Sequence, residues 1–260
     1  MNTSGIEGKV AVVTGAAGGI GAVVAAALAA EGAVVAAVDA RADRVGQCAS
    51  DLLAGGCKAA GYVSDVADGE SVRALIGQVS SELGPIGILV NGAGVLRPGL
   101  IVDLTDEEWA TTFAVNATGV FNLSRAVAAS MVTRRSGSIV TIASNAAGVP
   151  RMRMGAYAAS KAASVMFTKC LGLEVARYGV RCNVVCPGST DTPMLRTLWR
   201  NGSGRESTVR GSLDSYRAGI PLGRIGLPQD VADAVVFLVS DRARQITMHD
   251  LYVDGGAALR

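Results

Sequence analysis

The chain has 260 residues, of which 50% are hydrophobic, 18% charged and 33 are glycine, and its net charge is +2. This length can bury a core without disulfide or metal staples. Interspersed charges and a 4% aromatic content argue against the basic, stacking surface of a nucleic-acid binder, and the absence of a long apolar run or leader pattern predicts a cytoplasmic protein with no membrane partner.

Short β-branched runs alternate with Ala- and Leu-rich stretches of helical length. Strands are expected over 9–14, 33–39, 86–92, 137–144, 180–188 and 251–256, and a weaker one over 59–63 brings the number to seven. Helices are expected near 19–31, 41–54, 68–83, 105–130, 155–178 and 228–241, the fourth opened by the acidic turn Thr105-Asp106-Glu107-Glu108. Such alternation predicts a single α/β domain over 1–260, built on a doubly wound parallel sheet with helices on both faces. The polar stretch 200–217 breaks the pattern, and 192–217 is read as a mobile lid over a substrate cleft.

Directly after the first expected strand, Thr14-Gly15-Ala16-Ala17-Gly18-Gly19-Ile20-Gly21 opens an Ala-rich helix. Backbone N–H groups and a helix N-terminus then converge on one point, a place for a pyrophosphate. The second strand ends at Asp39, whose carboxylate can accept hydrogen bonds from the adenine ribose hydroxyls and would repel a 2′-phosphate. That pair predicts NAD rather than NADP, with Arg41 close enough in sequence to soften the preference.

From about Gly8 to Ala258 the chain resembles the short-chain dehydrogenase/reductase family, whose fold is a Rossmann-type sheet. The resemblance rests on TGAAGGIG at 14–21, Asp65-Val66, Asn91-Gly92-Ala93-Gly94, Asn116, Ser144, Tyr157-x-x-x-Lys161 and PGSTDT at 187–192. It implies cofactor contacts at Gly15, Gly19, Ile20, Gly21, Asp39, Asp65, Val66, Asn91, Ala93, Gly94, Tyr157, Lys161, Pro187, Gly188, Thr190 and Thr192. Where the family usually has NNAG this chain has a glycine, Gly92, at the second place. The resemblance also implies a homotetramer that pairs helices 105–130 and 155–178.

The catalytic set follows the same resemblance: Asn116, Ser144, Tyr157 and Lys161. Tyr157 and Lys161 share a helical face, so the ammonium can favour the phenolate, whose ordinary pKa of ~10 is too high for a base at neutral pH. Ser144 shares the substrate oxygen with Tyr157, and Asn116 organises a water relay past Lys161, which also holds the nicotinamide ribose. A single histidine, His249, leaves no triad or zinc cluster, so no metal is expected, and the five cysteines without CxxC spacing read as free thiols packed as small apolar groups.

The substrate-side segments narrow the resemblance to members that oxidise a ring carbinol of a cyclohexadiene carboxylate and so yield an aromatic acid. An anionic substrate calls for arginine. Arg97 and Arg151 are the first choices, with Arg153 and Arg196 behind them, although the resemblance implies a small residue at 153. Substrate contacts are expected from Arg97, Ser144, Arg151, Tyr157 and Met194, within an apolar wall of Met152, Met154, Met194, Leu195 and Trp199. An amino-substituted ring acid, a reductase of carrier-bound 3-oxoacyl groups, and a non-catalytic NAD-binding regulator are the alternatives; the intact catalytic set argues against the last.

Overall fold

In the central strands the apolar runs are buried on both faces of the sheet, and only the two edge strands are more open. A computed structural model describes residues 4–199 and 204–259. Its strands β1 (Val10–Thr14), β2 (Val34–Asp39), β3 (Ala59–Val63), β4 (Ile86–Asn91), β5 (Gly137–Ile142) and β6 (Val180–Pro187) are joined at the far edge by β9 (Asp250–Val253). They form one parallel sheet of seven strands in the order β3-β2-β1-β4-β5-β6-β9. In β1 successive residues serve opposite layers, Ala11 and Val13 packing with Val24, Leu28 and Leu238 on one side, Val10 and Val12 with Leu75, Leu123 and Met131 on the other.

Helices α1 (Gly19–Ala30), α2 (Ala42–Ala54) and α9 (Pro228–Val239) belong to the first layer, and α3 (Gly69–Glu82), α5 (Gly119–Arg134) and α6 (Gly155–Val175) to the second. Asp68 caps α3 by accepting from the N–H groups of Glu70 and Ser71. Thr105 opens α4 (Asp106–Phe113) with a capping box to Glu108, as its acidic first turn suggests.

Two segments differ from the expected pattern. The helix predicted over 105–130 is split by a π turn over Ala114–Thr118, because one extra residue in the turn is what swings Asn116 into full burial. The stretch after β6 is not a bare loop: it carries α7 (Pro193–Trp199), α8 (Arg205–Arg210) and a small antiparallel hairpin of β7 (Gly211–Ser212) and β8 (Arg217–Ala218). Residues 200–203 of the expected lid lie outside the described residues.

Since β1 has β2 on one side and β4 on the other, the loops leaving β1 and β4 diverge and open a crevice over their carboxyl ends. Fully buried Thr14 closes its floor: its Oγ1 accepts from the N–H groups of Gly92 (3.1 Å) and Ala93 (3.2 Å) and donates to the Val90 carbonyl (3.4 Å). In Thr14→Val the shape persists but the two N–H groups lose their acceptor, at about 1–3 kcal/mol for each buried donor left unmade. A lower urea midpoint and weaker dinucleotide binding in that variant are the expected results, and an unchanged midpoint would show that the clasp does not hold the crevice together.

Candidate active site

A single cavity of about 1050 Å³ fills the crevice, running from the end of β2 across the glycine turn to the α7–α8 segment. Its first half is a cradle made by missing side chains. A Cβ at Gly21 would meet the Gly15 carbonyl oxygen at 2.2 Å, and one at Gly15, which has φ +71°, would meet the Gly92 carbonyl oxygen at 2.8 Å. Glycine at both places lets the turn lie on the end of β4 while the first turn of α1 lies on it. Gly15, Gly19, Ile20, Gly21, Asp65, Val66, Ala93 and Gly94 all line this half. The cradle fits the diphosphate of a dinucleotide, with Asp39 at the far wall.

Asp39 is not the open carboxylate that the sequence suggests. Its Oδ1 accepts from the Arg41 backbone N–H (3.1 Å) and Nε (2.9 Å), and its Oδ2 from Ala17 N–H (3.2 Å) and Arg41 Nη2 (3.2 Å). Burial works against the charge, but the Arg41 and Ala17 hydrogen bonds outweigh it and hold the carboxyl below its ordinary range. Four N–H donors already occupy the acceptor, so a ribose must displace the half-exposed Arg41 side chain to bind there.

Across the switch point, Ser144, Tyr157 and Lys161 face the same cavity. Ser144 follows β5, where its Oγ accepts from the Ala146 N–H at 3.1 Å, and its side chain acts on the Tyr157 phenol in favour of the phenolate. Lys161 is 4% exposed and donates to the Ile142 carbonyl at 2.8 Å, with its nitrogen 5.9 Å from the centre of the Tyr157 ring. The sequence reading has Lys161, together with the positive charge of an oxidised nicotinamide, lowering the phenol. In the protein alone burial prevails: it pushes Tyr157 up despite the Ser144 hydrogen bond, and brings Lys161 down to about 8. A positive charge placed beside the phenol would favour its phenolate.

Asn116 and Asn91 stand behind the cavity rather than on its wall. Asn116 accepts from the Val95 N–H (2.8 Å) and donates to the Val95 carbonyl (2.9 Å) and Ser160 Oγ (3.0 Å), pinning the loop that holds Gly94 beside Lys161. Asn91 donates to Ser124 Oγ (3.0 Å) and Thr141 Oγ1 (3.2 Å), so its amide ties β4 to its neighbours while Ala93 and Gly94 reach the cavity. Gly92 has a local reason, since a Cβ there would meet the Thr14 carbonyl oxygen at 2.6 Å.

Pro187, Gly188, Thr190 and Thr192, expected as cofactor contacts, also line the cavity, as do Arg151, Met194 and the other apolar side chains Met152, Met154, Leu195 and Trp199 expected toward the substrate. Arg97 does not join them: its side chain is exposed, and its neighbours Leu96 and Pro98 face the cleft while the guanidinium stays hydrated. Arg196 also stays outside, paired with Asp191 at 2.8 Å. Arg153 reaches the rim with φ 62°, a left-handed conformation that favours a small residue. The sequence reading missed Arg217, which lines the cavity from β8, because the polar stretch around it carries no strand or helix period. The cysteines are free; Cys182 and Cys186 are buried, and burial lifts both thiols to about 12, but Cys170 is exposed and does not pack as an apolar group.

A nucleotide-sized cradle beside a buried serine and lysine and a half-buried tyrosine defines a dinucleotide-dependent oxidoreductase site. The short chain dehydrogenase family model matches residues 9–202, and the chain belongs to that family, whose members bind a nicotinamide cofactor. It is 57% identical over 259 residues, 100% of this chain and 99% of the relative, to 2,3-dihydro-2,3-dihydroxybenzoate dehydrogenase of Bacillus subtilis (strain 168). A 3-oxoacyl-acyl-carrier-protein reductase of Escherichia coli (strain K12) is 40% identical over 254 residues, 96% and 97% of the two chains. The crystal structure of a short-chain type dehydrogenase/reductase from Mycobacterium marinum superposes with a TM-score of 0.89 at 33% identity, covering 97% of this chain and 96% of that one.

Lys161 leaves a mark on stability. Its proton affinity in the folded chain, about 8, lies below its ordinary 10.5, so between those pH values the unfolded chain holds more protons and the contribution of Lys161 to stability rises with pH. In Lys161→Met that rise is absent. Urea midpoints of the two proteins at pH 7.5 and pH 10 measure it, and a wild-type increment no larger than that of the variant would show that Lys161 is not desolvated in this way.

Proposed function

We propose that the protein is an NAD-dependent dehydrogenase that oxidises 2,3-dihydro-2,3-dihydroxybenzoate to 2,3-dihydroxybenzoate. One observation carries the reading: the 57% identity to an enzyme of that name extends over both chains, the substrate side included. The reductase relative is less similar. The geometry supports it with an apolar wall suited to a six-membered ring and a half-buried arginine, Arg151, suited to its carboxylate.

The cofactor, when bound, supplies the hydride acceptor and a positive charge. Tyr157 takes the proton of the ring carbinol, while the Ser144 hydroxyl holds the carbinol oxygen beside it. Lys161, buried and fixed by the Ile142 carbonyl, stabilises the phenolate and holds the nicotinamide ribose. Asn116 acts through position: it fixes the Val95 loop and Ser160 and so shapes the path by which a proton leaves past Lys161. Loss of hydride and proton gives a ring ketone, and its tautomerisation to the aromatic acid draws the reaction forward. Segment 192–217 serves as the lid, since Leu195, Trp199 and Arg217 face the cavity from it.

Asp39 supports NAD over NADP, although its pairing with Arg41 moderates the preference. The homotetramer and cytoplasmic location belong to the same reading; exposed Trp109, Phe121, Met166 and Leu173 on α4, α5 and α6 suit helix pairing between subunits. A solution mass near the 26.4 kDa of one chain would refute the tetramer.

The deciding assay follows NADH formation from trans-2,3-dihydro-2,3-dihydroxybenzoate and from trans-2,3-dihydro-3-hydroxyanthranilate, with NAD and NADP in parallel and the product identified by mass. The diol acid with NAD is the expected pair, and substrate with NAD is expected to protect 192–217 from limited proteolysis. Faster turnover of the amino acid would move the protein to the other ring acid. Tyr157→Phe is expected to bind NAD as before and to lose at least about 100-fold in turnover; full activity in that variant would overturn the mechanism.

A further inference from the structure

Among the described residues, two partly buried arginines of the cavity, Arg151 and Arg217, have no ion-pair partner, while Arg153 at the rim is exposed. Arg151 Nη2 donates to the Ala257 carbonyl at 3.2 Å, and Arg217 Nη2 to Ser189 Oγ at 2.7 Å, both neutral acceptors. Among the described residues neither forms an ion pair, whereas the half-exposed Arg41 at the far wall is paired with Asp39. Asp254 is the carboxylate that Arg151 feels, yet its oxygens already accept from Asn145 Nδ2 (3.1 Å), Gly256 N–H (2.9 Å) and Ala258 N–H (2.8 Å). Asp214, at the hairpin tip, is exposed.

The two guanidiniums line the same cavity, one from each side of the cleft. Burial lowers the proton affinity of both, and the charge of Arg151 lowers that of Arg217 further. Arginine does not relieve such repulsion by losing a proton, because its ordinary pKa is above ~12. An anion between the two relieves it, and a planar carboxylate matches the fork of each guanidinium.

Resting on the reading above, we propose that Arg217, delivered by β8 of the α7–α8 segment, closes with Arg151 on the carboxylate of the ring substrate and is the residue that selects ring acids over neutral ring diols. Arg151 reaches the cavity from the loop between Ser144 and Tyr157, and Arg217 from the hairpin across the cleft, so the anion bridges the body of the protein and its polar segment. Anchoring the carboxylate this way fixes the ring in the plane in which one carbinol meets Tyr157.

Calorimetric titration of the NADH-loaded protein with 2,3-dihydroxybenzoate and with catechol tests this without requiring turnover. The wild type is expected to bind the acid more tightly than catechol. Arg217→Gln is expected to lose about 10–100-fold on the acid and nothing on catechol or NADH, with Arg217→Lys recovering part of the loss. Equal losses on acid and catechol, a loss on NADH, or no loss at all would each overturn the proposal. The substrate reading fails separately: a wild type that does not oxidise the diol acid but shows the Arg217-dependent acid preference leaves the clamp standing, and one that oxidises it with no such dependence removes only the clamp.

Discussion

The site depends on how closely the turn after β1 can lie against the end of β4. Gly15 and Gly21 have no Cβ to hold the chain segments apart, and Thr14 joins them through one hydroxyl that serves three backbone groups. Without that approach the N-terminus of α1 would sit farther from the switch point, and the loop carrying Ala93 and Gly94 would not share a cavity with it. The rest of the arrangement follows from the sheet order, because a chain that winds out to β3 and returns beside β1 leaves its crevice at this one place.

Burial then sets the chemistry on the other side of the crevice. Lys161 is taken almost wholly out of water with a backbone carbonyl as its hydrogen-bond partner, which costs it proton affinity, and Tyr157 is pushed the opposite way. A phenol raised and an ammonium lowered both make the phenolate–ammonium ion pair harder to form than it is in water. A positive ligand beside them would favour the phenolate, which would link the proton step to an occupied cleft. Asp39 and Arg41 show the same economy at the far wall, a buried charge kept by a neighbour that a ligand can displace.

Much of this was legible in the chain. The strand and helix alternation, the glycine turn and the Tyr157-x-x-x-Lys161 pair are local patterns, and the folded chain shows each near its expected bounds. The acidic turn at Thr105 is a cap for the reason it suggests. What local pattern could not show was orientation. The π turn at Ala114–Thr118 carries the same residue types as the helices around it, Arg97 is no less basic than Arg217, and Asn91 looks as available as Ala93 and Gly94.

The sequence by itself therefore determined the parallel sheet and the place of the dinucleotide cradle, since these depend on periodicity and missing Cβ atoms along the chain, and its family resemblance singled out Asn116, Ser144, Tyr157 and Lys161 as the expected reactive set. Only the tertiary structure decided that Asn116 and Asn91 brace the site from behind, that Asp39 is held by Arg41, and that Arg217 joins Arg151 while Arg97 stays in water. Each of those outcomes turns on which distant segment a side chain meets after packing, and contacts of that range leave no period in the sequence.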